Sequence, residues 1–150
     1  MAKYAIFYMK PEFFRDGILG YDWCEQQKKL PNPKNLGATH THLMNVEKSN
    51  PVIEKVMEEI WISMQAERWS PNGEAVDLIQ SKGLHHTSMS VGDIVVHVKT
   101  GIAFMVDRWG FRPLNQTSKQ RKAAEKKLRE QIADQIDGYD RDDLGESPDY

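Results

Sequence analysis

Imidazole is the side chain best suited to proton transfer near neutral pH, and four of the five histidines here fall in two close pairs. His40 and His42 stand two apart, so on a strand they project from one face. Neutral imidazoles at that spacing can share one metal ion, with a third ligand from His85 or His86. In the plainer alternative they pair with neighbours on a half-solvated sheet, and no carboxylate at fixed spacing accompanies them. His85-His86-Thr87 and His86-Thr87-Ser88 supply a histidine-x-Ser/Thr pattern. Paired imidazoles that protonate and deprotonate across a phosphodiester need that pattern twice, and His40-Thr41-His42 is no second copy. A histidine-dependent phosphodiesterase or nuclease-like enzyme therefore stands as an alternative. No catalytic, metal-ligating or cofactor-binding residue is assigned.

The segment Trp69-Ser70-Pro71-Asn72-Gly73-Glu74 is dense in shape-setting residues for a mere connection. Structurally, Asn72-Gly73 supplies backbone freedom, Glu74 suits a helix N-terminus, and Trp69 fills a seam between helices. Functionally, Trp69, Asn72 and Glu74 form a recognition surface with His85, His86 and Thr87, joined by Arg108 and Trp109. Asp93 and Asp107 flank a hairpin, where either can bond backbone amides at a strand end. Cys24 has no base placed beside it by sequence, so a buried, unreactive thiol is expected.

Lys119, Lys122, Lys126 and Arg129 follow a 3-4-3 spacing that makes one basic stripe on a helix, opposite Ala124 and Leu128. Such a stripe can dock on phosphates or on an acidic partner. It also suits a solvated face laced by Glu125–Arg129 and Lys126–Glu130 pairs. The net charge of −2 conceals a segregation. Residues 1–116 carry 13 basic and 13 acidic side chains, residues 117–131 six and two, and residues 132–150 one and seven. The acidic tail competes for the stripe and repels DNA, so nucleic acid ranks below a protein as the expected partner.

These residues need a scaffold. A chain of 150 residues, 39% hydrophobic and 28% charged, suits one ordinary domain. No apolar run approaches the roughly 18 residues of a membrane span, and Met1-Ala2-Lys3 leads straight into a strand-like stretch, not a signal peptide. One cysteine excludes an internal disulfide and a cysteine-rich zinc site, which makes the cytoplasm the default compartment.

Lys3–Met9 is rich in β-formers and predicts a strand stopped by Pro11. Residues 12–37 are mixed, with a weak helix near Tyr21–Lys29 and a loop over 30–37. Ala38–Glu47 predicts a second strand. Asn50-Pro51 then caps and opens a helix to residue 68, with Val52, Val56, Ile60 and Met64 inward and Glu54, Glu58 and Glu59 facing away. After a turn at 70–73, a short helix follows from Glu74, with Val76 and Ile79 inward and Gly83 as its stop. Ile94–Val98 and Ile102–Val106 form a hairpin with one buried side, and Phe111 and Leu114 close a third short strand. Thr117 with Gln120 fits a capping box, opening a helix to about Ile136, and residues 137–150 read as a disordered acidic tail. The expected fold is α+β: a small antiparallel, barrel-like sheet packed by a central helix, in a domain of residues 1–116 followed by a charged C-terminal helix.

Within residues 65–114, Ser88-Met89-Ser90-Val91-Gly92-Asp93 enters the hairpin and Val106-Asp107-Arg108-Trp109-Gly110-Phe111 leaves it. This "S-x-S-V-G-D" entry and "V-D-x-x-G-F" exit resemble the YodL-type domain of small phage- and plasmid-borne proteins. The resemblance implies an accessory protein of a mobile element, sometimes carried beside anti-restriction or other anti-defence modules. It implies no catalytic residue. The leading expectation is a non-enzymatic protein in a bacterial cytoplasm that binds a host- or element-encoded protein.

Overall fold

The computed structural model describes residues 1–115 together with Lys126. Eight successive residues, Ala2–Met9, form strand β1. Their nearly unbroken apolar run is what a strand covered on both faces requires. β1 lies inside a five-stranded antiparallel sheet of order β2-β1-β3-β4-β5, where β2 is His40–Lys48, β3 Ile94–His97, β4 Ile102–Asp107 and β5 Gly110–Pro113. The sheet is open, with β2 and β5 as its edges, so the barrel-like closure expected from the sequence does not occur. The β1–β2 register shifts between Ile6 and Phe7, a bulge that leaves Leu43 without an opposite residue and turns it into the core.

The β3–β4 hairpin is buried on both sides, not one. Val95 and Val106 join Tyr4, Ile6 and Tyr8 on the first face. Ile94, Ala103 and Met105 join Met9 on the second. Helix α3 (Ile53–Ser63) supplies Val56, Met57 and Ile60 to the first face, with Met64 just beyond its end. The second face is covered by α1 (Pro11–Gly17) through Phe13 and by α2 (Tyr21–Gln26) through Tyr21 and Cys24. Pro11 ends β1 and is also the first residue of α1, where its missing N–H costs nothing.

The helix expected over 51–68 is two helices. α3 stops at Ser63, and α4 (Ala66–Trp69) starts anew after Gln65, which is extended at φ −75°, ψ 141°. The Gln65 amide donates to the carbonyls of Trp61 and Met89, and Ser88 Oγ accepts the Ala66 N–H. The Asn50 cap is also displaced. Its Oδ1 accepts the Val52 N–H at 2.9 Å in a local turn, and the helix begins one residue later. Val52 and Val76, both expected inward, are exposed. The last short helix, α5 (Val76–Ser81), buries Ile79 instead. The predicted 117–136 helix and acidic tail fall outside the described residues, except Lys126, which is helical and exposed. Among the described residues no helix is long and apolar enough to cross a membrane.

Gly92 is where two stretches of main chain come closest. Its φ is +100°, and a Cβ there would stand 2.7 Å from the backbone of Gly17. Gly92→Ala is expected to cost about 3 kcal/mol, since left-handed strain adds to an overlap with main chain that cannot swing aside. Gly101→Ala, at φ +73° with open space around its Cβ position, is expected to cost about 1 kcal/mol. Urea unfolding of both variants checks the difference, and equal costs would refute the close approach.

Candidate functional site

The sequence-predicted residues are best followed outward from Asp93, whose side chain is fully buried. Oδ1 accepts the Met9 N–H at 2.8 Å, and Oδ2 accepts the Ser90 N–H at 2.7 Å. His86 Nε2 donates to the same carboxylate, 3.0 Å from each oxygen. Burial raises the Asp93 carboxyl above the usual carboxylate range, against the opposing pull of His86 and the two amides. The His86 ring stacks on Tyr8 at 4.6 Å and meets the edge of Phe14 at 5.0 Å. The Tyr8 hydroxyl donates to the Thr87 carbonyl at 2.7 Å, and Trp69 Nε1 donates to the same oxygen at 3.1 Å. Burial, and then the nearby Asp93, raise the Tyr8 phenol. Trp69, His86 and Thr87 thus do come together, as a hydrogen-bonded seam between α4, β1 and the 84–93 segment.

His40 meets the other side of this turn. Its Nε2 lies 2.7 Å from the Gly92 carbonyl, and its Nδ1 2.7 Å from the Thr39 hydroxyl. A carbonyl only accepts, so Nε2 carries the proton and Nδ1 accepts from Thr39. Both nitrogens are engaged, and the ring is buried. Its fellow His42 shares the strand face, opposite Phe7, but is exposed and bonds Asn45 Oδ1 at 2.8 Å. His85 is exposed. His40, His42 and His86 bond separate partners, and among the described residues no three His, Cys, Asp or Glu side chains are grouped to hold a metal ion. Cys24 is buried, with its Sγ donating to the Asp16 carbonyl at 3.4 Å, and burial pushes the thiol up to about 11.

The remaining candidates stand apart from the seam. Asn72 and Glu74 bond each other across Gly73: the Asn72 N–H to Oε2 at 2.9 Å, and its amide to Oε1 at 3.2 Å. Those bonds, led by the Asn72 N–H, hold the Glu74 carboxyl below its ordinary value. The pair is exposed, while Ser70 is buried with its Oγ accepting the Ala75 N–H.

Arg108 and Trp109 form the two-residue turn between the paired residues Asp107 and Gly110. Asp107 Oδ1 accepts the N–H groups of Tyr21, at 3.3 Å, and Arg108, at 3.0 Å. Oδ2 lies 3.4 Å from the Arg112 guanidinium, which covers the Tyr21 ring at 4.2 Å. Gly110, at φ +87°, permits the turn. At its apex Trp109 is 93% exposed. Beside it lies a cleft of about 360 Å³ whose walls are Glu54, Glu58 and Trp61 from α3 and Arg108 and Phe111 from the hairpin. The 54-58-61 spacing placed these three on one helix face, but not which strand that face would meet.

The two motif halves meet directly. The Gly92 N–H donates to the Val106 carbonyl at 2.9 Å, and the Val106 N–H donates to the Asp93 carbonyl at 2.8 Å. Of the basic stripe, Lys119, Lys122 and Arg129 lie outside the described residues, and Lys126 is exposed. Comparisons with family models, with curated proteins and with solved structures find no match.

Burial is the largest cause lowering the His40 imidazole, to about 4 from an ordinary 6.5. The unfolded chain therefore binds a proton that the folded chain refuses between those two values. Stability from this group is complete above pH 6.5 and is lost as pH falls toward 4. The loss is expected to reach about 3 kcal/mol. Urea midpoints measured from pH 7.5 to 4 should fall steeply in the native protein and less in His40→Gln. Parallel slopes would refute the assignment.

Proposed function

We propose that this chain is a non-enzymatic accessory protein of a phage or plasmid, acting in a bacterial cytoplasm by binding a host- or element-encoded protein, in counter-defence. The observation that carries the binding reading is Trp109, an indole 93% exposed at the apex of the β4–β5 turn. Tryptophan is costly to leave in water and is the residue most enriched at the energetic centres of protein interfaces. The turn is stiff because Asp107 is bonded to Tyr21, Arg108 and Arg112. A rigid indole loses little conformational entropy on docking. The neighbouring Arg108 is of the other type favoured at such centres.

A photo-crosslinking phenylalanine analogue at position 109, expressed in a bacterial host, should give one discrete protein adduct. The analogue at exposed Gln80 should not. Trp109→Ala should lower recovery of that protein about tenfold while leaving the urea midpoint unchanged. Absence of any adduct across several hosts would overturn the reading.

A further inference from the structure

The cleft beside Trp109 has a composition that selects its occupant. Glu54, Glu58 and Trp61 lie at steps of four and three on α3, so two carboxylates and an indole share one helix face. Phe111 of β5 supplies the facing wall, and Trp61 and Phe111 both pack on the core cluster behind, which holds the rings in place. Three carboxylates and one guanidinium line the space. Asp107 is already paired with Arg112, whereas Glu54, Glu58 and Arg108 form no ion pair among the described residues. The surplus is negative and belongs to the two glutamates.

A pocket with aromatic walls and an acidic rim complements a side chain that is apolar along its stem and cationic at its tip. Its volume of about 360 Å³ admits one such side chain with some flanking backbone. Arginine fits better than lysine. Its planar guanidinium can stack on an indole while presenting N–H groups to two carboxylates, and it gives up hydration more readily than an ammonium.

We infer that this cleft receives an arginine side chain of the partner protein, with its guanidinium between Glu54 and Glu58 and its stem against Trp61 and Phe111. The inference rests on the protein-binding reading and deepens it: Trp109 reaches onto the partner while the cleft takes one of the partner's basic residues. A partner site carrying an arginine beside an apolar socket for the indole is the surface this face complements.

The test uses the full chain labelled with 5-fluorotryptophan, which gives one fluorine signal for each of the four tryptophans. The Trp61 signal is assigned through Trp61→Phe. Acetyl-arginine amide should move the Trp61 signal saturably at millimolar concentration, and acetyl-lysine amide should bind at least threefold more weakly. Acetyl-citrulline amide, uncharged but of the same shape, should produce no saturable shift. Glu54→Gln with Glu58→Gln should weaken the arginine response at least fivefold, and added salt should weaken it too. Gln80→Ala, at an exposed position of α5, should leave it unchanged.

An equal response to citrulline, indifference to the glutamate substitutions, or a uniform drift of all four signals would overturn the inference. In the cell, E54Q/E58Q should lower the yield of the adduct formed at position 109. A strong adduct with no arginine response refutes the cleft and leaves the binding reading intact. An arginine response with no adduct in any host refutes the protein partner, for the inference and for the binding reading alike.

Discussion

The carboxylate of Asp93 is the constraint on which the rest of this structure depends. A carboxylate removed from water must be met by hydrogen-bond donors or it destabilises the fold. Here three arrive from separate parts of the chain: the Met9 amide at the end of β1, the Ser90 amide within the preceding turn, and the His86 ring. Satisfying them holds the 84–93 segment against the end of β1. That segment then offers the Thr87 carbonyl to Tyr8 and Trp69, and Ser88 Oγ to the start of α4. One buried acid thereby fixes β1, β3, α4 and the connection between them.

Gly92 adds a steric condition to this electrostatic one. The residue before Asp93 packs against the backbone of Gly17 at the end of α1, and its carbonyl accepts from His40. The acid ties down the α4 side of the sheet, and the glycine seats the α1 side. The sheet is covered on both faces because one short turn serves both layers. Its two hydrophobic clusters meet along β1, where Tyr8 and Met9 point in opposite directions.

Much of this was legible where periodicity is strong. The strands around Ala5, Met44, Val96 and Phe104 and the apolar stripe of Val56 and Ile60 follow from alternation and helical spacing. Asp93 and Asp107 do bond backbone amides at strand ends, as the plainer reading of each expected. Of the second layer, α2 falls within the weak helix expected near Tyr21–Lys29 but α1 went unread, and helices of seven and six residues are too short for a clear period to emerge. Without them the hairpin reads as one-sided. Barrel closure was overread for a related reason: sequence gives strands but not the order in which edges are left open. The cleft escaped as well. Glu54 and Glu58 read as solvated because nothing local says that β5 will lie beside α3. Lys119, Lys122 and Arg129 remain outside the described residues.

The division of labour between the motifs and the surface follows from how many polar groups are already engaged. The acid and glycine of the hairpin entry, with both nitrogens of His40, Nε2 of His86 and the Thr87 carbonyl, are engaged in bonds within the fold. A ligand there would have to break hydrogen bonds that carry the fold. Groups with unspent capacity lie instead at the hairpin exit, where Arg108 and Trp109 point outward beside Glu54 and Glu58. The paired bonds between Gly92, Asp93 and Val106 connect the two regions. β4 runs from those bonds to the Arg108-Trp109 turn, so the exposed indole is mounted on the same hydrogen-bonded frame as the buried acid. The residues of the hairpin entry are in this sense a pedestal. What stands on it, two residues at a turn and two on a helix, is where recognition is to be sought.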